Sequence, residues 1–224
     1  MIKENVLQIR AAIEEAAIRA GRDPKEIALC AATKMNDADR VREAIAAGVD
    51  CCGENRVQEL TEKSAHNAYE GAPVHFIGHL QTNKVRQVVG KVDLIQSVDS
   101  LRLLEAISKE ANKQGICQDI LLEINIAAEE SKSGLTPQEL PQALTAAAQL
   151  GGVRVLGLMA IPPASHNPGD NLHWFQKMRQ LLDTVPGATI LSMGMSDDFT
   201  DAIACGSTMI RVGTAIFGRR NYNL

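Results

Sequence analysis

Ile27-Ala28-Leu29-Cys30-Ala31-Ala32-Thr33 runs without a charge into Lys34, and the reading of these positions decides the fold. The run shows no alternation of apolar and polar residues. That is the signature of a strand buried on both faces, as in a parallel sheet covered by helices. Further apolar runs follow at 49–53, 74–78, 93–97, 119–126, 153–159, 189–193 and 208–212. Helical patterns separate them. Asn36 can cap a helix carrying Val41, Ala44 and Ile45 and ended by Gly48; Leu101, Leu104, Ile107 and Ala111 line another, with Gly115 beyond it. Thr136-Pro137-Gln138-Glu139 offers an N-cap, a first-position proline and a capping-box glutamate ahead of Leu140, Ala143, Leu144 and Ala147. Leu172, Phe175, Met178 and Leu182 mark a further helix before Pro186-Gly187. Before the first strand, residues 2–20 carry Ile2, Val6, Ile9, Ile13 and Ala17 at spacings of three and four, stopped by Gly21. Eight strands alternating with helices predict an α/β protein with a single (β/α)8 TIM-type barrel and an extra N-terminal helix. An open doubly wound sheet, with fewer strands, is the alternative. The whole span 1–224 reads as one domain, without linker or repeat. The stretch 161–170, with its prolines and glycine, reads as a long mobile loop.

Composition agrees. The chain has 224 residues, 45% hydrophobic but only 3% aromatic, so Ala, Val, Ile and Leu must build the core. Net charge is −4 and no basic block stands out, which argues against a nucleic-acid partner. The charged start Met1-Ile2-Lys3-Glu4-Asn5 lacks a signal core, and no apolar run approaches the roughly 18 residues a bilayer needs, so no membrane role is expected. The five cysteines include adjacent Cys51 and Cys52 but no CxxC. Neither a disulfide framework nor a zinc motif is suggested, and a reducing cytoplasm is the expected location.

Barrel chemistry gathers at the C-terminal ends of strands. Those ends carry Thr33-Lys34, Gly53-Glu54-Asn55, Gly78-His79, Ser97, Asn125, Met159, Ser192 to Ser196, and Arg211 to Thr214. A lysine after a strand is ordinarily a solvated surface residue. Lys34 instead follows small apolar residues, where partial desolvation would favour a neutral, nucleophilic amine. His79 could be a strand end-cap, Asn55 a helix cap, and Arg211 one half of a structural ion pair. The last loops tell more, because barrels often bind phosphate after strands seven and eight. Gly213-Thr214-Ala215 offers unobstructed backbone N–H groups, with Ser192 and Ser196 next door. A lysine facing a phosphate cradle suggests an aldehyde phosphate held as a Schiff base, and pyridoxal 5′-phosphate is the commonest such cofactor. A sugar-phosphate aldolase competes, but would want acid/base carboxylates; only Glu54 and Glu123 lie near the relevant strand ends.

These motifs resemble the pyridoxal phosphate homeostasis protein family over essentially the whole chain. The resemblance is carried by Ala-Ala-Thr-Lys at 31–34, Gly-Glu-Asn-Arg-Val-Gln-Glu at 53–59, His-Phe-Ile-Gly-His-Leu-Gln-Thr-Asn-Lys at 75–84 and Ser-Val-Asp at 97–99. It continues in Glu-Glu-Ser-Lys-Ser-Gly at 129–134, Gly-Leu-Met-Ala-Ile-Pro at 157–162, Leu-Ser-Met-Gly-Met-Ser at 191–196 and the stretch 206–218. It implies a barrel like the N-terminal domain of alanine racemase, with an internal aldimine at Lys34 and Arg211 facing the pyridine nitrogen. Ser192, Gly213 and Thr214 would hold the phosphate, with Asn55, His79, Met193 and Ser196 around the ring. This chain departs from the family in having Ala-Thr-Lys for Val-Ser-Lys, no proline in Met35-Asn36-Asp37, and Cys52 where phenylalanine is frequent.

Arginine at the ring nitrogen can only donate hydrogen bonds, so it favours a weak electron sink and argues against transamination. Racemisation needs acid/base groups on both faces of the substrate carbon. The only tyrosines, Tyr69 and Tyr222, are not at strand ends, and Leu224 follows Gly218 too closely to leave room for the racemases' second domain. The expectation is therefore a non-catalytic carrier, a monomer that stores the cofactor or delivers it to apo-enzymes. A weak amino-acid racemase comes second. A structural protein that has lost the cofactor comes third.

Overall fold

The computed structural model describes residues 1–129, 131–164 and 167–218. Eight parallel strands close into a barrel in sequence order. They are β1 Ala28–Ala32, β2 Cys51–Glu54, β3 Val74–Phe76, β4 Leu94–Val98, β5 Gln118–Glu123, β6 Val153–Met159, β7 Ile190–Ser192 and β8 Met209–Val212. Every apolar run forms a strand, and the open sheet is excluded by the pairing of β1 with β8. The fifth strand is shorter than its run of 119–126. After Glu123 the chain leaves the ladder, keeping only an isolated bridge from Ile124 to Leu135.

The helices are α1 Ile2–Arg19, α2 Ala38–Ala46, α3 Val57–Ala65, α4 Leu101–Gln114, α5 Leu140–Leu150, α6 Leu172–Leu182, α7 Phe199–Ala204 and α8 Thr214–Phe217. A 3-10 segment, Thr82–Gln87, stands in place of a helix between β3 and β4. The extra N-terminal helix is present. The buried stripe of α1, Ile2, Val6, Ile9, Ile13, Ala16 and Ala17, packs on Leu29, Ile203, Ile210, Val212 and Ile216. It thus covers the outside of the β1–β8 seam. Asn5 Nδ2 donates to the Ile216 carbonyl at 2.8 Å, which ties α1 to α8.

Two helix starts differ from expectation. Asp37, not Asn36, caps α2, its side chain accepting from Arg40 N at 2.9 Å. Asn36 instead donates to the Lys34 carbonyl at 3.0 Å. The Thr136/Glu139 capping box does form, with bonds of 2.8 Å and 3.3 Å, but α5 begins only at Leu140. The reason is Pro141, which has no N–H for the carbonyl of Pro137, so the box turn cannot continue as helix. At the end of α4, Gly115 adopts the left-handed conformation at φ 68°, as a helix-ending glycine should. The loop after β6 is irregular, but its described part is fastened. Lys132 Nζ donates to the Pro162 carbonyl at 2.8 Å and Asn171 Nδ2 to that of Pro163 at 3.0 Å.

Strand alternation divides the side chains. One set faces the helices and forms the main core around Phe76, Ile95, Leu104, Ile107, Ile120 and Phe175. The other set fills the barrel with small and medium residues, Cys30, Cys51, Ile77 and Met209 on one side, Leu94, Leu121 and Met159 on the other.

Candidate active site

A cavity of about 700 Å³ opens at the C-terminal ends of β1, β7 and β8. Lys34, Ser196, Arg211, Gly213 and Thr214 all line it, as expected from the strand ends. Their meeting follows from closure, since Cys30 on β1 is the register partner of Arg211 on β8. Arg40 adds a second guanidinium to the wall; it is fixed by Asn36 Oδ1 at 2.9 Å and by the Phe217 carbonyl. Lys34 is half-buried there.

Arg211 is buried inside the barrel. Its Nη1 donates to Ser192 Oγ at 2.6 Å and its Nη2 to the Ala160 carbonyl at 2.9 Å. Burial pulls its pKa down, while Cys30, Glu123 and Asp198 push it back up. Ser192 is not part of the loop cradle. Its hydroxyl lies within the barrel and donates to Gln96 Oε1 at 2.7 Å. Met193, one residue on, points the opposite way by strand alternation and packs in the helix-side core, so its side chain does not reach the cavity.

Asn55 and His79 sit at the β2 and β3 ends of the mouth. Asn55 Oδ1 is buried and has no hydrogen-bond partner. Gly78 lies against it so closely that a Cβ there would stand 2.2 Å from the Asn55 carbonyl oxygen. His79 is 60% exposed, and its Nδ1 meets Asp99 Oδ2 at 2.9 Å. Nearby, Glu123 is 7% exposed at the end of β5. Burial raises its pKa to about 7; Asp99 adds to the rise, and Arg211 and His79 oppose it.

That shift has a testable sign. The folded pKa lies above the ordinary 4.5, so the folded state holds the extra proton between these values. Stability from this group is complete below pH 4.5 and is lost as pH rises through about 7. In urea unfolding, Glu123→Gln should gain on wild type between pH 4 and pH 8, by at most on the order of 3 kcal/mol. Parallel pH profiles would show that Glu123 ionises normally.

The groups that hold Lys34 in place were not legible in the sequence. Lys63 Nζ donates to the Thr33 carbonyl at 2.7 Å and to Glu54 Oε1 at 2.5 Å. Thr33 Oγ1 and Tyr69 OH also donate to Glu54 Oε1, at 2.5 Å and 3.0 Å. Glu59 Oε2 accepts from Met35 N at 2.6 Å and pairs with Lys63 at 3.1 Å. The peptides on both sides of Lys34 are thereby clamped, and Met35 is held at φ 61°, an uncommon conformation for a residue with a side chain. The one available signal was the Glu59/Lys63 spacing of four on α3. Glu54 and Tyr69 are consumed by this network. Tyr222 lies outside the described residues.

The family model described as alanine racemase, N-terminal domain, matches residues 2–221. A pyridoxal phosphate homeostasis protein of Aquifex aeolicus is 41% identical, covering 98% of this chain and 98% of its own. The chain belongs to the pyridoxal phosphate homeostasis protein family. Among solved structures, a protein of unknown function from Bifidobacterium adolescentis superposes with TM-score 0.90 at 39% identity, over 96% of this chain and 94% of that one. PipY of Synechococcus elongatus, a structure with PLP bound, superposes with TM-score 0.81 at 34% identity, over 97% of this chain and 100% of its own.

Proposed function

We propose that this chain, acting as one unit over 1–224, binds pyridoxal 5′-phosphate at Lys34 and serves its homeostasis by storing or delivering it. The observation that carries the reading is the convergence of Lys34, Arg211 and the Gly213–Thr214 turn on one cavity. The donor set fits the group. The Lys34 amine suits an aldehyde carbon. Arg211 suits a ring nitrogen that accepts a hydrogen bond. The backbone and hydroxyls at 213–214, with Ser196, suit a phosphate. Asn55 Oδ1, a buried acceptor without a partner, suits a hydroxyl donor on the ring. PipY, matched over 100% of its chain, has a structure with PLP bound. When bound, pyridoxal phosphate supplies an electron sink for charge developing next to an amine.

The residues present hold rather than process. Arg211 keeps the ring nitrogen unprotonated. The described tyrosine, Tyr69, is buried against Glu54, which with burial raises its pKa far above the ordinary value. The expected recipients are apo-enzymes that use the cofactor, and the expected state is a cytoplasmic monomer. Among the described residues no helix is long and apolar enough to cross a membrane. A second reading, weak amino-acid racemisation, draws on Glu123, a carboxyl poised to carry a proton near neutral pH beside the mouth.

Protein incubated with pyridoxal phosphate and desalted should retain visible absorbance, and Lys34→Ala should lose it entirely. A wild-type protein that stays colourless overturns the reading. Transfer to an apo-enzyme faster than from free cofactor would establish delivery. Robust formation of D-alanine or D-serine from the L-forms would promote the racemase.

A further inference from the structure

Beneath the cavity, inside the barrel, lies a cluster that the cofactor reading does not use. Cys30 on β1 and Cys51 on β2 are register partners, so their side chains project to the same side of the sheet. His75 on β3 completes the group. One ligand atom from each, the two sulphurs and a ring nitrogen, lie within 4.8 Å of one another. Exposure is 0%, 3% and 7% for Cys30, Cys51 and His75. Cys51 Sγ is 3.4 Å from His75 Nδ1. Sequence spacing pointed away from such a site, because Cys51 and Cys52 are adjacent. Strand alternation separates them: Cys52 joins the helix-side core and Cys51 turns inward.

We propose that Cys30, Cys51 and His75 form a binding site for a thiophilic divalent cation of the Zn²⁺ class. Tetrahedral zinc bonds of about 2.3 Å to sulphur and 2.0–2.1 Å to nitrogen set ligand atoms roughly 3.5–3.8 Å apart, so the cluster needs only slight contraction. Three adjacent strands of a closed barrel hold the ligands ready. Ligand chemistry selects the ion: two thiolates and an imidazole suit a thiophilic cation, and Arg211, the register partner of Cys30, shares in balancing the thiolate charge. On binding, the metal forms two metal–sulphur bonds and one metal–nitrogen bond, and the protons of the two thiols leave to solvent. Met209, packed in the same cluster, offers a thioether for a fourth position.

The surroundings match. A concavity of about 400 Å³ at the N-terminal end of the barrel is lined by Ala28, Ile190 and Met209, which also pack around the cluster, and has Glu26 among its walls. It provides an entrance from the face opposite the cofactor cavity. Gln96 Nε2 sits 2.9 Å from His75 Nδ1, the same nitrogen that faces Cys51 Sγ, so a metal taking that nitrogen would turn the Gln96 amide away from it. The turn would be felt at Ser192 Oγ, 2.7 Å from Gln96, and then at Arg211, 2.6 Å from Ser192.

The test is titration of the reduced, chelator-treated full chain with Co²⁺, followed by difference absorbance against the metal-free protein. One equivalent should bind, giving thiolate charge-transfer bands in the near ultraviolet and visible bands of a tetrahedral ion, and Zn²⁺ should erase both. Cys51→Ala should abolish them. No bands in wild type, or bands that survive Cys51→Ala but vanish in Cys117→Ala at the exposed thiol, overturn the site. Should Cys51→Ala fail to fold, X-ray absorption of the Zn²⁺-loaded wild type decides. Two sulphur neighbours and a nitrogen support the site; a shell of oxygen and nitrogen alone refutes it.

Discussion

Lys63→Met should destabilise the protein by about 3–5 kcal/mol, the usual effect of removing one partner from a buried ion pair. Lys63 is 6% exposed and Glu54 0%. The substitution leaves a carboxylate in the core whose remaining partners, Thr33 Oγ1 and Tyr69 OH, are neutral donors. It also frees Glu59, which then sits beside Glu54 without a cation between them. At about 2–4 °C per kcal/mol for a chain of this size, the melting temperature should fall by roughly 6–20 °C. The double variant Lys63→Met/Glu54→Gln should recover much of the loss, because no buried charge remains. Equal losses in the single and double variants would mean that Lys63 acts through packing alone. A second readout follows from its bond to the Thr33 carbonyl at 2.7 Å. Visible absorbance from cofactor at Lys34 should weaken in the folded fraction of the single variant, since the peptide before Lys34 is no longer held.

Arg211→Glu should both shift the visible maximum of cofactor-loaded protein and lower stability by more than Arg211→Gln does. Glutamate at this place accepts hydrogen bonds, so a ring nitrogen facing it takes up a proton. Glutamine remains a neutral donor and should leave the maximum near the wild-type position. On the stability side, glutamate abandons the Ala160 carbonyl and brings a second carboxyl towards Glu123. A Glu variant with an unchanged spectrum would place the ring nitrogen away from residue 211. Thermal melts of the cofactor-free variants separate the two effects.

The barrel was legible because parallel strands are buried on both faces, so that each reads as a mainly apolar run even where His75, Gln96 or Arg211 interrupts it. Lys34, Arg211, Gly213 and Thr214 were legible because strand ends converge once the barrel closes. The seventh apolar run took in Ser192 and Met193 but did not show where their side chains point; strand alternation sends them to opposite faces, Ser192 into the barrel and Met193 into the helix-side core. Lys63 could not be placed from the sequence, since nothing local marks which face of α3 turns towards Glu54. Gln96, in the middle of β4, carried no signal, because its role depends on partners in β3, β7 and β8.

The seam between β1 and β8 has a consequence for biosynthesis. Lys34 leaves the ribosome well ahead of Arg211, Gly213 and Thr214, which complete its cavity. Until β8 is made, β1 has an unpaired edge, and the amine has neither the guanidinium nor the turn at 213–214 to work with. Cofactor capture at Lys34 would therefore follow closure of the barrel rather than seed it. Because the ligand would touch the first strand and the loop after the last, it would act as a clasp across the β1–β8 seam. The loaded form should lose strands from either end more slowly than the empty one, and protease digestion in the two states would register the difference.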